Sequence, residues 1–419
     1  MRPLPLLALA AGFASLHGLW GGSTFLGVAG RLALIGAACW WLSRGDRPAS
    51  RRSAAALFLV AILVAVGAAK DVAVAHALTF PMAVAGLGAA GAAWWLGRRS
   101  TTKRRPGWQR ALIAVPVVLF VALPALAETF VLATDGPTQT LPAGLAGAFV
   151  QTGNINTHYE QWGTTGSPVI LVHGVLESTY VWSKAAPLLA TNHRVFAYDT
   201  RGYGFTERRG PYTLDGDVAQ LGDLIDALRL DAKPVLIGHS SGAAIITAFA
   251  RLHPDRVAGI VLVDGDATPY GAGPGWAHDV IGEPLFTAAF RTVLGSDALI
   301  RSVLQRQCGP TCTIELEKWR APFRQPGAED ALLRILRRPL IGLEPAQLAD
   351  VRVPAAVMSG EFDSSMGPAD VAATARLLHT DRTAVLKGEH HLPMFNSPAT
   401  FVAQLTPLLD GLTGGPATS

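Results

Sequence analysis

Ser240 stands at the centre of Gly238-His239-Ser240-Ser241-Gly242, a Gly-x-Ser-x-Gly pattern that directly follows the apolar run 234–237. A strand running into such a pattern predicts a sharp strand-to-helix turn, with the central serine in a strained backbone conformation and its hydroxyl exposed. The flanking glycines let strand and helix close together without a side chain between them. The stretch 243–252 is rich in helix formers, so Ser240 is expected near a helix N-terminus. Backbone N–H groups and the helix dipole there favour a developing negative charge. Gly-x-Ser-x-Gly also arises by chance in ordinary turns, and it is the strand and helix around it that give it weight.

A serine hydroxyl is a poor nucleophile at neutral pH and needs a base within hydrogen-bond reach, itself oriented by a third group. Asp363 follows the apolar run 353–358 in Ser-Gly-Glu-Phe-Asp, and His391 follows the run 383–386 in Lys-Gly-Glu-His-His-Leu-Pro. Both are expected in loops just past the carboxyl ends of strands. The chain order Ser…Asp…His is one that a nucleophile, an acid and a base use on an α/β sheet.

The elements that must position these side chains alternate. Strands are expected at 154–162, 168–172, 194–198, 235–237 and 257–263, with helices at 182–190, 214–228 and 243–253. This alternation predicts an α/β fold with a mostly parallel sheet covered on both faces. Residues 267–349 then break the pattern: they read as helical and carry Trp276, Phe286, Phe290, Trp319 and Phe323. Strands resume at 353–358 and 383–386, and a helix at 399–412 follows. An insertion between two sheet strands reads as a cap over the strand ends, where open α/β sheets bind ligands.

With these residues in view, the stretch from about Phe149 to Leu412 resembles a capped α/β-hydrolase. His173-Gly174 resembles the family's oxyanion loop, which implies that the backbone N–H groups of Val175 and Ser241 form the oxyanion hole. Asp199-x-Arg201-Gly202-x-Gly204 resembles the loop after the family's next strand, with Thr206 where serine is more usual. Gly388-x-x-His391-x-Pro393 resembles its histidine loop and favours His391 over His390. The resemblance implies a Ser240–His391–Asp363 triad, with no metal or organic cofactor. The stretch His173-Gly174-Val175-Leu176-Glu177-Ser178 resembles that of epoxide hydrolases and haloalkane dehalogenases, which use aspartate at the nucleophile position. Serine there points to attack on an acyl carbonyl, hence to a carboxylic ester hydrolase. A lactonase, amidase, cofactor-free haloperoxidase or C–C hydrolase is the alternative among enzymes, and a non-catalytic membrane interaction protein the alternative outside them. Asp264, at the end of 257–263, competes with Asp363 as the acid, since some members of the family carry it there. Glu361 lies nearer its strand but fits the family spacing less well, and Ser241 competes as nucleophile, although the two-glycine frame centres on Ser240. His239 and His173 read as structural or pocket-lining residues.

Composition divides the chain. Residues 1–133 hold 13 Lys/Arg and 3 Asp/Glu, a net of +10, while 134–419 hold 22 and 28, a net of −6; together they make the +4 of the whole. The overall pI of about 9.1 therefore belongs to the first third. The globular part has no basic excess for phosphate contacts, which excludes a nucleic-acid partner there. Apolar stretches at 4–20, 25–42, 54–69, 72–96 and 111–132 approach the ~20 residues that cross a bilayer. A multi-pass membrane region of four or five spans is expected, with the lipid bilayer as partner. Arg44, Arg47, Arg51 and Arg52 in one loop, and six Lys/Arg in 97–110, mark both loops as cytoplasmic. The last span then carries the hydrolase-like part to the extracytoplasmic side. The run up to Ala125-Leu126-Ala127 also resembles a signal sequence with a cleavage site after Ala127.

Of the three cysteines, Cys308 and Cys312 lie in Gln-Cys-Gly-Pro-Thr-Cys-Thr. In an oxidising compartment a disulfide is the natural reading, with two free thiols as the alternative; no histidines stand nearby to suggest a metal. The organisation expected is a membrane region at 1–133, a linker at 134–148, a hydrolase core at 149–266 and 350–412, a helical cap at 267–349 and a tail at 413–419.

Overall fold

The runs 169–172, 195–198, 235–237 and 260–263 are apolar at every position, and a strand of that kind is stable only with both of its faces covered. A computed structural model describes residues 147–269, 283–336 and 342–413. It contains β1 (Ala148–Thr152), β2 (Ile155–Trp162), β3 (Ser167–Val172), β4 (His193–Tyr198), β5 (Val235–His239), β6 (Gly259–Val263), β7 (Ala355–Gly360) and β8 (Thr383–Leu386). They form one eight-stranded sheet in the order β1-β2-β4-β3-β5-β6-β7-β8. The first two pairings, β1 with β2 and β2 with β4, are antiparallel; from β4 to β8 every pairing is parallel.

Side chains one residue apart leave the sheet on opposite sides. Val169 and Leu171 of β3 join one apolar core, with Trp182, Phe401 and Leu405, while Ile170 and Val172 join the other, with Leu221, Ile245 and Phe249. The helices that close these faces include α1 (Ala186–Leu189), α2 (Leu214–Leu228) and α3 (Gly242–Leu252). The hydroxyl of Thr213 caps α2 by accepting from the Gly216 N–H, the arrangement favoured at helix starts.

Between β6 and β7 run α4 (Glu283–Gly295), α5 (Asp297–Cys308), α6 (Leu316–Arg320), α7 (Ala328–Leu336) and α8 (Pro345–Ala349). After β7 come α9 (Pro368–Leu377), α10 (Pro393–Asn396) and α11 (Pro398–Thr413). The chain divides into two compact units. Residues 137–273 with 293–419 contain the sheet; residues 1–136 with 274–292 make the other, of which 283–292 are described.

The structure differs locally from the expected elements. β1 was absent from the expected strands because its short run Ala-Phe-Val-Gln-Thr lies beside a Gly/Pro-rich stretch; it forms a hairpin with β2 across Gly153-Asn154. The stretch 182–190 is a 3-10 turn at Thr179–Trp182 and the single turn α1, not a continuous helix. β6 starts two residues later than expected, at Gly259. β7 begins after Pro354, whose missing N–H cannot enter the ladder, and runs two residues further than expected. The expected spans, the cleavage site after Ala127 and the linker up to residue 146 lie outside the described residues, as do 270–282, 337–341 and 414–419. Among the described residues no helix is long and apolar enough to cross a membrane.

Candidate active site

Strand β5 ends at His239 and helix α3 begins at Gly242, leaving Ser240 and Ser241 to make the turn between them. Ser240 has φ 50°, the left-handed region that a side chain disfavours. Such a conformation costs on the order of 1–3 kcal/mol and persists only where surrounding contacts impose it. Two contacts do: the Ser240 N–H donates to the Val263 carbonyl at 2.9 Å and the Ser240 carbonyl accepts from the Ala243 N–H at 3.0 Å. The glycines close the frame. A Cβ on Gly238 would lie 2.5 Å from the Gly242 carbonyl oxygen, and one on Gly242 2.5 Å from that of Val172.

Asp363 and His391, each in a loop past a strand end, meet: His391 Nδ1 and Asp363 Oδ2 are 2.9 Å apart. With Nδ1 donating to the carboxylate, Nε2 is left as the acceptor, the tautomer a base requires. Asp363 Oδ1 accepts from the Ser365 N–H at 2.7 Å. Burial pushes the Asp363 carboxyl up, but the hydrogen bond and charge of His391 hold it below the usual carboxylate range. Of the competing residues, Glu361 is exposed and accepts from the Gly388 N–H, and the His390 ring packs on Phe362. Asp264 directly follows β6 and makes no hydrogen bond to His391; its Oδ1 accepts from the Gly360 N–H at 2.7 Å.

The loop after β3 reaches Ser240 from the other side, since a Cβ on Gly174 would sit 2.8 Å from the serine Cβ. Val175 and Ser241 flank the serine along the chain and across this contact. Among the described residues their N–H groups donate to no protein acceptor. The neighbouring Gly174 N–H is engaged, donating to Glu177 Oε2 at 2.7 Å.

That carboxylate begins a chain of contacts which sequence reasoning missed. Glu177 Oε2 lies 2.9 Å from His239 Nδ1, and His239 Nε2 lies 2.8 Å from the carbonyl oxygen of His391. Both partners are acceptors, so both ring nitrogens must donate, and His239 is an imidazolium. Burial alone would lower its pKa, but the charge and hydrogen bond of Glu177, with the His391 carbonyl and Asp363, together raise it. Burial likewise favours a neutral Glu177, yet His239 holds its pKa below the usual value. His173 shows the opposite state. Its Nδ1 donates to the Gly174 carbonyl and its Nε2 accepts from the Thr200 N–H at 3.0 Å, so it is neutral, and burial lowers its pKa. The available signal for the pair was the two positions themselves, a carboxylate in the oxyanion loop and a histidine beside the serine.

Cys308 and Cys312 are joined by a disulfide and both are buried. The bridged turn packs on the histidine loop: a Cβ on Gly309 would meet His390 Cδ2 at 3.0 Å. Nearby, Trp319 of α6 stacks edge-on against Tyr180 and Phe395, and Lys184 Nζ sits 3.8 Å above the Phe395 ring.

Known proteins are similar to this chain. The family described as alpha/beta hydrolase fold matches residues 167–294. Over 119 residues the chain is 37% identical to 2-hydroxy-6-oxo-6-(2'-aminophenyl)hexa-2,4-dienoic acid hydrolase of Metapseudomonas resinovorans, covering 27% of this chain and 41% of that protein. Over 236 residues it is 30% identical to Epoxide hydrolase A of Mycobacterium tuberculosis, covering 54% of this chain and 64% of the relative. The chain thus spans less than two thirds of the length of either. Among solved structures, a thermophilic esterase of Thermogutta terrifontis is similar at TM-score 0.52 and 26% identity, covering 64% of this chain and 100% of that one. Residues 167–294 thus match the α/β-hydrolase fold family, and the C-terminal part of this chain has that fold.

Proposed function

We propose that this domain is a serine hydrolase acting on carboxylic esters, with Ser240 as nucleophile, His391 as general base and acid, and Asp363 orienting the imidazole. The observation that carries the reading is the 2.9 Å contact between His391 Nδ1 and Asp363 Oδ2, with the His391 carbonyl bonded to His239, the residue before the strained Ser240. Ser240 Oγ attacks the acyl carbon while its proton passes to His391 Nε2. The carbonyl oxygen becomes an oxyanion held by the Val175 and Ser241 N–H groups. His391 then gives the proton to the leaving alkoxide. In the second half, water loses a proton to His391 and attacks the acyl-enzyme, and Ser240 Oγ leaves with that proton as the acid product is released. Serine rather than aspartate at position 240 favours acyl chemistry over the epoxide opening named for the mycobacterial relative.

A second reading is a serine-dependent C–C hydrolase, favoured by the name of the Metapseudomonas relative. A panel of p-nitrophenyl esters of varied acyl length, run beside a vinylogous diketo acid and a Ser240→Ala control, separates the two. Ester turnover that disappears in Ser240→Ala supports the first; turnover of the diketo acid alone would replace it with the second.

The first third is part of the same proposal: residues 1–133 anchor the domain in a bilayer and hold it outside the cytoplasm. The arginine-rich loops 44–52 and 97–110 support this orientation. A cysteine-free variant with one new thiol in the linker should react with an impermeant maleimide on intact cells. Protection until lysis would overturn the orientation.

A further inference from the structure

Asp264 directly follows β6 and is 1% exposed, yet none of the steps above uses it. Its backbone, with φ 49°, turns toward β7, where the Asp264 N–H donates to the Met358 carbonyl at 2.9 Å. Its Oδ1 is occupied by the Gly360 N–H at 2.7 Å. Its Oδ2 is fully buried, and as a carboxylate oxygen it has no donor against it among the described residues. Carboxylate oxygens of Asp264 and Asp363 and a ring nitrogen of His391 all lie within 4.8 Å of one another.

Two ionised carboxylates are not sustained in such a space. A buried charge without a partner costs several kcal/mol, and like charges at this range drive a proton onto one of the two. Asp363 already has the His391 ring and the Ser365 N–H to support its charge. Asp264 has a single backbone N–H, so the proton belongs there. We propose that Asp264 is a fourth member of the array, a positioning residue that stays protonated at neutral pH, accepts from Gly360 through Oδ1 and donates through Oδ2 to the Asp363 carboxylate.

Only a neutral carboxyl can accept at one oxygen and donate at the other. The same hydrogen bond ties the end of β6 to the loop that carries Asp363, and so aims that carboxylate at His391. The titratable groups facing Asp264 are Asp363, Glu177 and His391. After burial, the negative charge of Asp363 is the largest influence raising the Asp264 pKa, and Glu177 adds to it. The opposite shift appears on the partner, where the Asp264 hydrogen bond helps to lower the Asp363 pKa. Asp264 and Asp363 stand at the two positions that compete for the acid role in the sequence, and in this account they work in series.

The proposal rests on the serine-hydrolase reading, and the test separates the two. Asparagine offers the same acceptor and donor, so Asp264→Asn in the full-length protein should hydrolyse p-nitrophenyl butyrate within about threefold of wild type. Asp264→Leu keeps the size but not the hydrogen bonds; its kcat should fall about 100-fold with KM little changed, and its acid limb should move to higher pH as Asp363 loses a donor. The infrared difference between wild type and Asp264→Asn at neutral pH should contain the carbonyl stretch of a neutral carboxylic acid; taking the difference removes Asp217, whose burial pushes its pKa up to about 8. Three results would overturn the proposal: no such band in that difference, Asp264→Asn as inactive as Asp363→Asn, or a folded Asp264→Leu as active as wild type. If Asp264→Leu does not fold, Asp264→Asn and the infrared band still decide. Wild type that neither hydrolyses the ester nor reacts with a fluorophosphonate at Ser240 would instead refute the serine-hydrolase reading, and the band would remain a test of the Asp264 proton.

Discussion

His239 Nε2 donates to the backbone carbonyl of His391 across 2.8 Å, so the residue before the serine holds the histidine loop directly. Through Nδ1 and Glu177 the same ring reaches the Gly174 N–H of the oxyanion loop. One buried imidazolium therefore spans the three segments on which the chemistry depends. Removing it leaves Glu177 as an unpaired buried carboxylate, a loss of about 3–5 kcal/mol for broken buried pairs. His239→Gln should lose stability on that scale in urea denaturation. The acid limb of kcat/KM should also move to higher pH, because an unpaired negative charge near His391 favours its imidazolium. An unmoved acid limb in a folded variant would limit His239 to packing.

The same pair predicts a pH window for stability. His239 has a raised folded pKa, so its contribution is complete below its ordinary value of 6.5 and is lost as pH rises through the folded value. Glu177 has a lowered one, so its contribution is complete above 4.5 and is lost as pH falls through the folded value. The stability gap between wild type and the Glu177→Gln/His239→Gln double variant should be widest between these two values and narrow on either side. Denaturation curves across that range measure it, and a flat gap would count against the charged pair.

Gly242→Ala isolates the turn. The added methyl would meet the carbonyl oxygens of Val172 at 2.5 Å and His173 at 2.7 Å, both backbone atoms that cannot rotate away. A loss of about 1–3 kcal/mol is expected, as for overpacked cores, together with loss of ester turnover as β3 and α3 are pushed apart. Thermal denaturation and a turnover assay report the two effects separately, and an unchanged enzyme would show that the turn is looser than described.

The disulfide closes a short loop, and loop-closure entropy for about five residues corresponds to about 2 kcal/mol. Cys308→Ser/Cys312→Ser should lower stability by that order. Because the bridged turn leans on His390, turnover should fall as well. Alkylation with and without reductant, read by mass spectrometry, checks that the bridge exists; two freely alkylated thiols would refute it.

Much of this site was legible because its residues follow strand ends. Ser240, Asp363 and His391 each sit just past a run of apolar residues, and the helix expected at 214–228 has those bounds in the structure. The Asp199 loop was recognisable as a pattern, and its reason is structural. Asp199 is buried and accepts from His158 Nδ1 at 2.7 Å and from the Thr179 and Phe205 N–H groups. The Thr206 hydroxyl donates to the Asp199 carbonyl at 2.7 Å, so threonine serves there as well as serine. What could not be read were contacts between residues far apart in the chain. Glu177 and His239 are 62 positions apart, and His239 and His391 are 152 apart. Nothing in local spacing reports such pairs. The protonation state of Asp264 was equally hidden, since it follows from burial beside Asp363.

The central claim is that Ser240 is an activated nucleophile. In full-length protein treated with a fluorophosphonate, Ser240 Oγ should attack the phosphorus and displace fluoride from the reagent, the serine proton passing to His391, which leaves one phosphonyl group on Ser240, located by peptide mass spectrometry. Labelling should disappear in Ser240→Ala and slow by about four orders of magnitude in His391→Ala and Asp363→Asn, the scale seen when the triad acid is replaced by asparagine. Folded wild-type protein that remains unlabelled, or that is labelled equally in the Ser240→Ala variant, would contradict the account.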